Sequence, residues 1–210
     1  MRSSGGDRKR TGRRSRPLGT DRHDVLCPPT SGVGRCALAE SRGGPPVLLY
    51  FAYGSNLSRE QMRRRCPGSS LVGPALLRGH RLGFGGHANR WNGAVATVHA
   101  APDACVPGLV YRLTDDDLAR LDGFESYPYV YTRGEVNVEP LPDLRKPGVT
   151  DEHRADPATA WTYWFALPRP IRAPSDVYAG IIRTAYREWA FDEDGLRRAL
   201  AHSGYPGFAP

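Results

Sequence analysis

The sequence predicts an α+β fold: a mixed, largely antiparallel sheet, curled or closed into a small β-barrel, flanked by three or four helices. Three observations predict it. A continuous apolar run rich in β formers, Val47-Leu48-Leu49-Tyr50-Phe51-Ala52-Tyr53, ends at Gly54. Further strand-like stretches follow, several of them separated by clusters of Gly, Pro, Asn and Asp. Helix-start signals stand at Ser58, Thr114 and Ser175.

In chain order, the run at 47–53 reads as a buried strand. Ser58 with Gln61 reads as a capping box that opens a short helix ending before Pro67. Strands are expected around Ala75–Phe84, Ala94–His99, Pro107–Leu113, Val130–Val138 and Ala158–Leu167. Thr114 with Asp117 caps a short helix from Asp115 to about Asp122, whose early aspartates suit the positive end of the helix dipole. Ser175 opens a longer helix with Val177, Ile181, Ile182 and Ala185 as its apolar stripe, and a last helix runs from about Asp192 to His202. Leu141–Pro157, with its prolines and mixed charge, reads as a surface loop. Gly83-Phe84-Gly85-Gly86 lacks the lysine and Ser/Thr of a phosphate loop and reads as a turn.

The chain of 210 residues has room for one domain and a tail. Its net charge of +7 is unevenly placed: residues 1–46 carry 10 of the 29 Lys and Arg and 4 of the 22 Asp and Glu. The remainder is close to neutral. Residues 1–46, rich in Arg, Gly, Ser and Pro without apolar periodicity, are expected to be a disordered basic tail, or sequence upstream of the true translation start. Residues 47–210 are expected to be one folded domain. The basic cluster Arg8, Lys9, Arg10, Arg13, Arg14 and Arg16 lacks interleaved aromatics, which points away from nucleic acid as a partner. No apolar run approaches the ~18–20 residues of a membrane span, and none follows Arg13-Arg14 as a signal sequence requires. Cys27, Cys36, Cys66 and Cys105 show no zinc-like spacing. Reduced thiols and a cytoplasmic location are expected.

Two segments carry chemistry. Tyr53-Gly54-Ser55-Asn56 lies between a buried strand and a capped helix, where successive amides can face a carboxylate or a polarised carbonyl oxygen. The plainer reading is a strand-to-helix turn with local hydrogen bonds. Leu121-Asp122-Gly123-Phe124-Glu125 ends a short helix and places Glu125 between Phe124 and the aromatics Tyr127, Tyr129 and Tyr131. Apolar surroundings raise a carboxyl pKa toward the range useful for proton transfer. The plainer reading is a solvated loop glutamate. Ser55 has no companion histidine that would make it a nucleophile, and His80, His87 and His99 have no converging ligand pattern, so neither a nucleophilic serine nor a metal site is expected. Trp161, Trp164 and Trp189 read as core.

Phe51-Ala52-Tyr53-Gly54-Ser55-Asn56-Leu57 resembles the opening motif of the γ-glutamylcyclotransferase / AIG2-like family. Trp91–Val98, Gly108-Leu109-Val110-Tyr111 with Leu118, Leu121, Asp122 and Glu125, and Ala173–Tyr178 resemble its later blocks, in family order. The resemblance implies a γ-glutamylcyclotransferase-like fold and a cofactor-free enzyme of the lyase or acyltransferase type. Its substrate would be a small γ-glutamyl amide whose α-amino group attacks its own γ-carbonyl, releasing 5-oxoproline and an amine or amino acid. It implies Glu125 as acid/base and Tyr53, Gly54, Ser55, Asn56 and Tyr178 as substrate-binding residues. Alternatives are a specialised member that removes a γ-glutamyl protecting group in secondary metabolism, and a non-catalytic binding module. Two departures stand out. Many members have glycine where this chain has Ser126, and the glutathione-specific branch usually has an apolar residue in place of Asn56, which points away from glutathione. The leaving group is expected to be set by His87–Trp91 and the Leu141–Pro157 loop.

Overall fold

A computed structural model describes residues 48–144 and 157–208; the expected 1–46 tail, Val47 and most of the expected Leu141–Pro157 loop lie outside them. Five strands close into a barrel in the order β1-β3-β2-β4-β5. They are β1 (Leu48–Ala52), β2 (Ser70–Ala88), β3 (Gly93–Leu113), β4 (Tyr131–Pro140) and β5 (Ala158–Phe165). Neighbours pair antiparallel except at the closure, where β1 runs parallel to β5 with Tyr50 opposite Trp161. Among the described residues four α-helices flank it: α1 (Arg59–Arg65), α2 (Asp115–Phe124), α3 (Asp176–Glu188) and α4 (Asp194–His202). The α+β barrel expected from the sequence is the one observed.

The separate strands expected at 94–99 and 107–113 are one strand. The 21-residue β3 pairs with β2 along most of its length, and the register slips between Arg78/His80 and Cys105/Ala100. Pro102 and Asp103 sit inside that irregularity, so a local break signal marks a bulge and not a strand end. Gly83–Gly86 is likewise strand and not a turn: Gly83 to Gly85 pair with Thr97 to Val95. Glycine is needed there because Gly86 takes a left-handed backbone, φ 63°, and because another segment packs on the backbone. Gly86 donates its N–H to the Pro170 carbonyl at 2.9 Å, and a Cβ on Gly85 would stand 3.0 Å from that same oxygen.

The core fills the barrel and extends under α3 and α4. On α3, Tyr178, Ala179, Ile182, Ala185 and Tyr186 are buried. Val177, expected in the apolar stripe, is 67% exposed, because the buried face starts one residue later at Tyr178. Trp189 is buried as expected, while Trp161 and Trp164 are half-buried. Helix α4 starts at Asp194, two residues later than expected, with the Asp192 carboxylate accepting the Asp194 N–H at 2.8 Å.

Two contacts fix α2 against the turn after α1. The Thr114–Asp117 capping box is complete in both directions. Asp117, 2% exposed, also accepts the Gly68 N–H at 3.2 Å, and its carbonyl accepts the Cys66 thiol at 3.6 Å. Burial pushes that thiol up to about 12, so it stays protonated. The clamp holds α1 and α2 in register, and Leu121, fully buried, seats α2 on the barrel. At the end of α2, one turn beyond Leu121, stands Glu125.

Candidate active site

Strand β1 ends at Ala52, and the chain turns through Tyr53-Gly54 into a 3-10 turn, Ser55–Leu57, before α1. Gly54 has φ −105°, so the turn does not use the left-handed region. Its glycine answers to close approach instead: a Cβ would meet the Tyr178 hydroxyl at 3.2 Å and the Ala96 side chain at 3.3 Å. The Ser58 box is half formed. Ser58 Oγ accepts the Gln61 N–H at 3.3 Å, but the Ser58 N–H is already bonded to the Ser55 carbonyl. The Gln61 amide therefore reaches back to Ser55 Oγ (2.8 Å) and Asn56 Oδ1 (2.9 Å).

Asn56, 4% exposed, is the hub of the arrangement. Its Nδ2 donates to the Tyr50 hydroxyl at 2.8 Å and to Glu125 Oε1 at 3.2 Å. Its Oδ1 accepts from Gln61 and, at 2.9 Å, from Arg65 Nη1. Arg65 in turn reaches Glu125 Oε1 at 3.2 Å, with 7% of the arginine side chain and 16% of the glutamate side chain exposed. The structure thus brings the carboxyl group of Glu125 to the side chain of Asn56, on the turn that ends β1. Burial pushes the Glu125 carboxyl above its ordinary value, and Arg65 and the Asn56 amide pull it partly back.

The expected aromatic surroundings of Glu125 are only partly present. Tyr127 and Tyr129 are exposed, because the inward alternation of β4 begins only at Tyr131. Tyr131 is buried and donates its hydroxyl proton to the Ala96 carbonyl at 2.7 Å. The Ala96 N–H, on the same residue, donates to the Tyr178 hydroxyl oxygen at 3.1 Å. The Ser55 backbone and side chain also adjoin that oxygen, and burial pushes the Tyr178 phenol up to about 12, so at neutral pH it keeps a proton to donate. Tyr53 donates to the Tyr163 carbonyl, and Trp91 meets Tyr178 edge to face at 5.1 Å. Tyr53, Gly54, Ser55, Asn56, Tyr178 and Glu125 therefore converge on one region of the barrel end.

Arg65, Tyr50 and Gln61 also belong to this cluster, and the sequence reading did not single them out for it. A signal existed for Arg65. It lies three residues beyond the buried Met62 on α1, and hence on the same helix face. Arg63 and Arg64 beside it are exposed.

Ser126 takes a left-handed conformation, φ 52°, at the residue after the α2 C-cap. The Tyr127 N–H bonds to the Asp122 carbonyl at 2.9 Å and the Ser126 N–H to that of Gly123 at 3.3 Å, the pattern of a Schellman motif. Glycine is the usual occupant because it bears no Cβ strain there, and here serine adopts the same geometry. Ser126→Gly is expected to stabilise the fold by about 0.5–1 kcal/mol: the relief of strain exceeds the entropy glycine adds to the unfolded chain. A urea unfolding midpoint lower than wild type would contradict this.

Among the described residues no helix is long and apolar enough to cross a membrane, and no group of three or more His, Cys, Asp or Glu is placed to hold a metal ion.

A family model described as "Gamma-glutamyl cyclotransferase, AIG2-like" matches residues 50–187. The mouse protein named γ-glutamylcyclotransferase is 37% identical over 98 residues, 43% of this chain and 52% of the mouse protein. The human protein of that name is 36% identical over 96 residues, 42% of this chain and 51% of the human protein. The chain thus spans about half the length of the curated relatives it matches. A solved structure named γ-glutamyl cyclotransferase superposes with a TM-score of 0.62 at 25% identity, covering 74% of this chain and 88% of its own. A human protein of uncharacterised function superposes at 0.61 with 27% identity, covering 74% and 87%.

Proposed function

Because the chain belongs to the γ-glutamyl cyclotransferase, AIG2-like family, we propose that it cleaves a γ-glutamyl amide by internal attack, releasing 5-oxoproline and a free amine or amino acid. Nucleophile and electrophile are parts of one molecule, so the enzyme's main task is to fold that molecule into an attack geometry. Orientation of this kind lowers a barrier by up to about 7–11 kcal/mol in the best cases.

The α-amino group of a γ-glutamyl compound is mostly an ammonium near neutral pH and must lose a proton to attack. Glu125 takes that proton and passes it to the departing nitrogen as the tetrahedral intermediate collapses, while the second proton that the ring nitrogen sheds on becoming a lactam N–H goes to the released amine or to solvent. A raised carboxyl pKa suits both steps, since it makes the carboxylate a stronger base and keeps the acid form accessible. Backbone N–H groups at Gly54, Ser55 and Asn56 hold the substrate carboxylate or the developing oxyanion; where such donors have been removed by mutation, each is worth about 2.7–4 kcal/mol. Tyr53 and Tyr178 wall the hollow, and the Tyr178 hydroxyl donates to the substrate.

One observation supports the reading above the rest: a largely buried carboxyl group, Glu125, is held by Asn56 and Arg65 at the turn that ends β1. The testing experiment supplies γ-glutamyl-alanine, a γ-glutamyl-lysine amide and glutathione to the purified protein and measures 5-oxoproline by mass. Product from γ-glutamyl-alanine is expected. No product from any of them, with a γ-glutamyl compound still raising the melting temperature, would favour a non-catalytic binding module. Tyr178→Phe is expected to lower kcat/KM by about 5- to 30-fold, the worth of one hydrogen bond of 1–2 kcal/mol. A loss as large as that from changing Glu125 would give the tyrosine a chemical part it lacks in this scheme.

A further inference from the structure

The geometry points to Arg133 as the carboxylate-binding residue of a leaving-group subsite, so that γ-glutamyl-amino acids are taken in preference to γ-glutamyl amines without an acid on the departing side. This deepens the cyclotransferase reading and rests on it.

Arg133 lies on β4 two residues beyond Tyr131, and residues at that spacing share a face of the strand. It therefore stands beside the tyrosine whose hydroxyl meets Ala96 at the barrel end. The guanidinium carbon is 4.9 Å from the Tyr127 ring centre and 5.2 Å from that of Trp161, and 19% of the side chain is exposed. The cation is thus largely stripped of water yet still reachable from solvent.

Its facing charge is Asp122, whose Oδ2 lies 3.4 Å from Nη1. The contact is electrostatic only, because Nη1 is a buried donor with no hydrogen-bond partner among the described residues. The other oxygen of Asp122 accepts the Tyr163 hydroxyl proton at 2.7 Å. Asp122 and Glu125 are three residues apart at the end of α2, so both carboxyl groups leave the helix on one side. Arg133 accordingly pairs with the acid that lies three residues before the proposed acid/base.

In a γ-glutamyl-amino acid, the leaving carboxylate is a few bonds from the amide that breaks. With a hydrogen bond added, the reach from the γ-carbon is about 6–7 Å, the order of the step between same-face residues on a strand. A guanidinium suits a planar carboxylate, which it can meet through two parallel N–H groups, and this one is partly exposed. A departing amine without an acid offers it nothing.

The test compares γ-glutamyl-alanine with γ-glutamyl-alaninamide, a near-isostere that lacks only the charge. Arg133→Gln is expected to lower the acid-over-amide ratio of kcat/KM by about 10- to 100-fold, mainly through KM, as loss of one charge-assisted hydrogen bond does. Arg133→Lys should lower it less. Both substrates are read on one preparation, so any misfolded fraction cancels in the ratio. Arg169, whose Nε is also buried without a hydrogen-bond partner among the described residues, supplies the comparison, and Arg169→Gln should leave the ratio unchanged. An unchanged ratio in both Arg133 variants, or a fall that follows Arg169 instead, would overturn the subsite while leaving 5-oxoproline release intact. No 5-oxoproline from either substrate with wild-type protein would overturn the cyclotransferase reading itself, and the subsite with it.

Discussion

Replacing Glu125 by glutamine is expected to cut 5-oxoproline formation by at least about 10²- to 10⁴-fold, the contribution of a well-placed general acid or base, and to leave the protein folded. The fold should survive because both donors to this side chain, Asn56 Nδ2 and Arg65 Nη1, meet the same oxygen, each at 3.2 Å. The amide oxygen of glutamine can accept from both. Burial already disfavours the charged carboxylate, so an uncharged isostere is tolerated there. The melting temperature should move by less than about 4–8 °C, the worth of about 2 kcal/mol in a domain of this size. Substrate binding should persist, since the donors at Gly54–Asn56 are untouched. Product release at the wild-type rate would remove Glu125 from the chemistry.

The second large effect belongs to Arg65→Met. Arg65 does not meet the substrate in this account; it positions Glu125 and holds its charge. The methionine covers the same apolar surface, including the contact with Phe124, whose ring centre lies 4.8 Å from the guanidinium carbon, but it supplies no charge and no donor. With the opposing cation gone, burial acts on Glu125 with less opposition, and its carboxyl pKa rises further. The acid limb of the kcat/KM profile should therefore move to higher pH than in wild type. Activity near neutrality should fall about 10²-fold if the carboxyl group also shifts by the order of 1 Å.

Stability has a sign that follows from the same shift. A carboxyl group with a raised folded pKa favours the fold in its protonated form. That contribution is complete below the unfolded value of about 4.3 and is lost as the pH rises through the folded value. Arg65→Met should thus trail wild type by a margin that grows as the pH rises from the folded wild-type value to the higher folded value of the variant, both above about 4.3. An acid limb that stays in place, with an equal stability loss at every pH, would reduce Arg65 to a packing residue.

What could be read from the sequence was local. The β1 run, the caps at Ser58, Thr114 and Ser175, and the turn Tyr53–Asn56 are each written in a few adjacent residues, and the structure places them there. The Schellman turn at Ser126 was half legible: the serine was recognised as standing where glycine is usual, but its left-handed backbone was not expected. The partners of Glu125 were not legible. Arg65 and Asn56 lie 60 and 69 residues away in the chain, and Arg65 sits in a run of three arginines that reads as a solvated charge. Tyr127 and Tyr129 misled for the opposite reason. They adjoin Glu125 in sequence, but the Schellman turn carries them outward before the alternation of β4 takes hold at Tyr131. Gly83–Gly86 misled because glycine serves close approach as well as turning, and only the packing of residues 169–170 tells the two apart.

The central claim is that Glu125 exchanges protons with the nitrogen that closes the ring. A crystal structure of the protein with 5-oxoproline bound tests it most directly. The ring nitrogen is expected within about 2.6–3.2 Å of the Glu125 carboxyl group, or one water away, with the product carboxylate against the amides of Gly54, Ser55 and Asn56. Product bound elsewhere, or bound at that turn with its nitrogen facing away from Glu125, would contradict it.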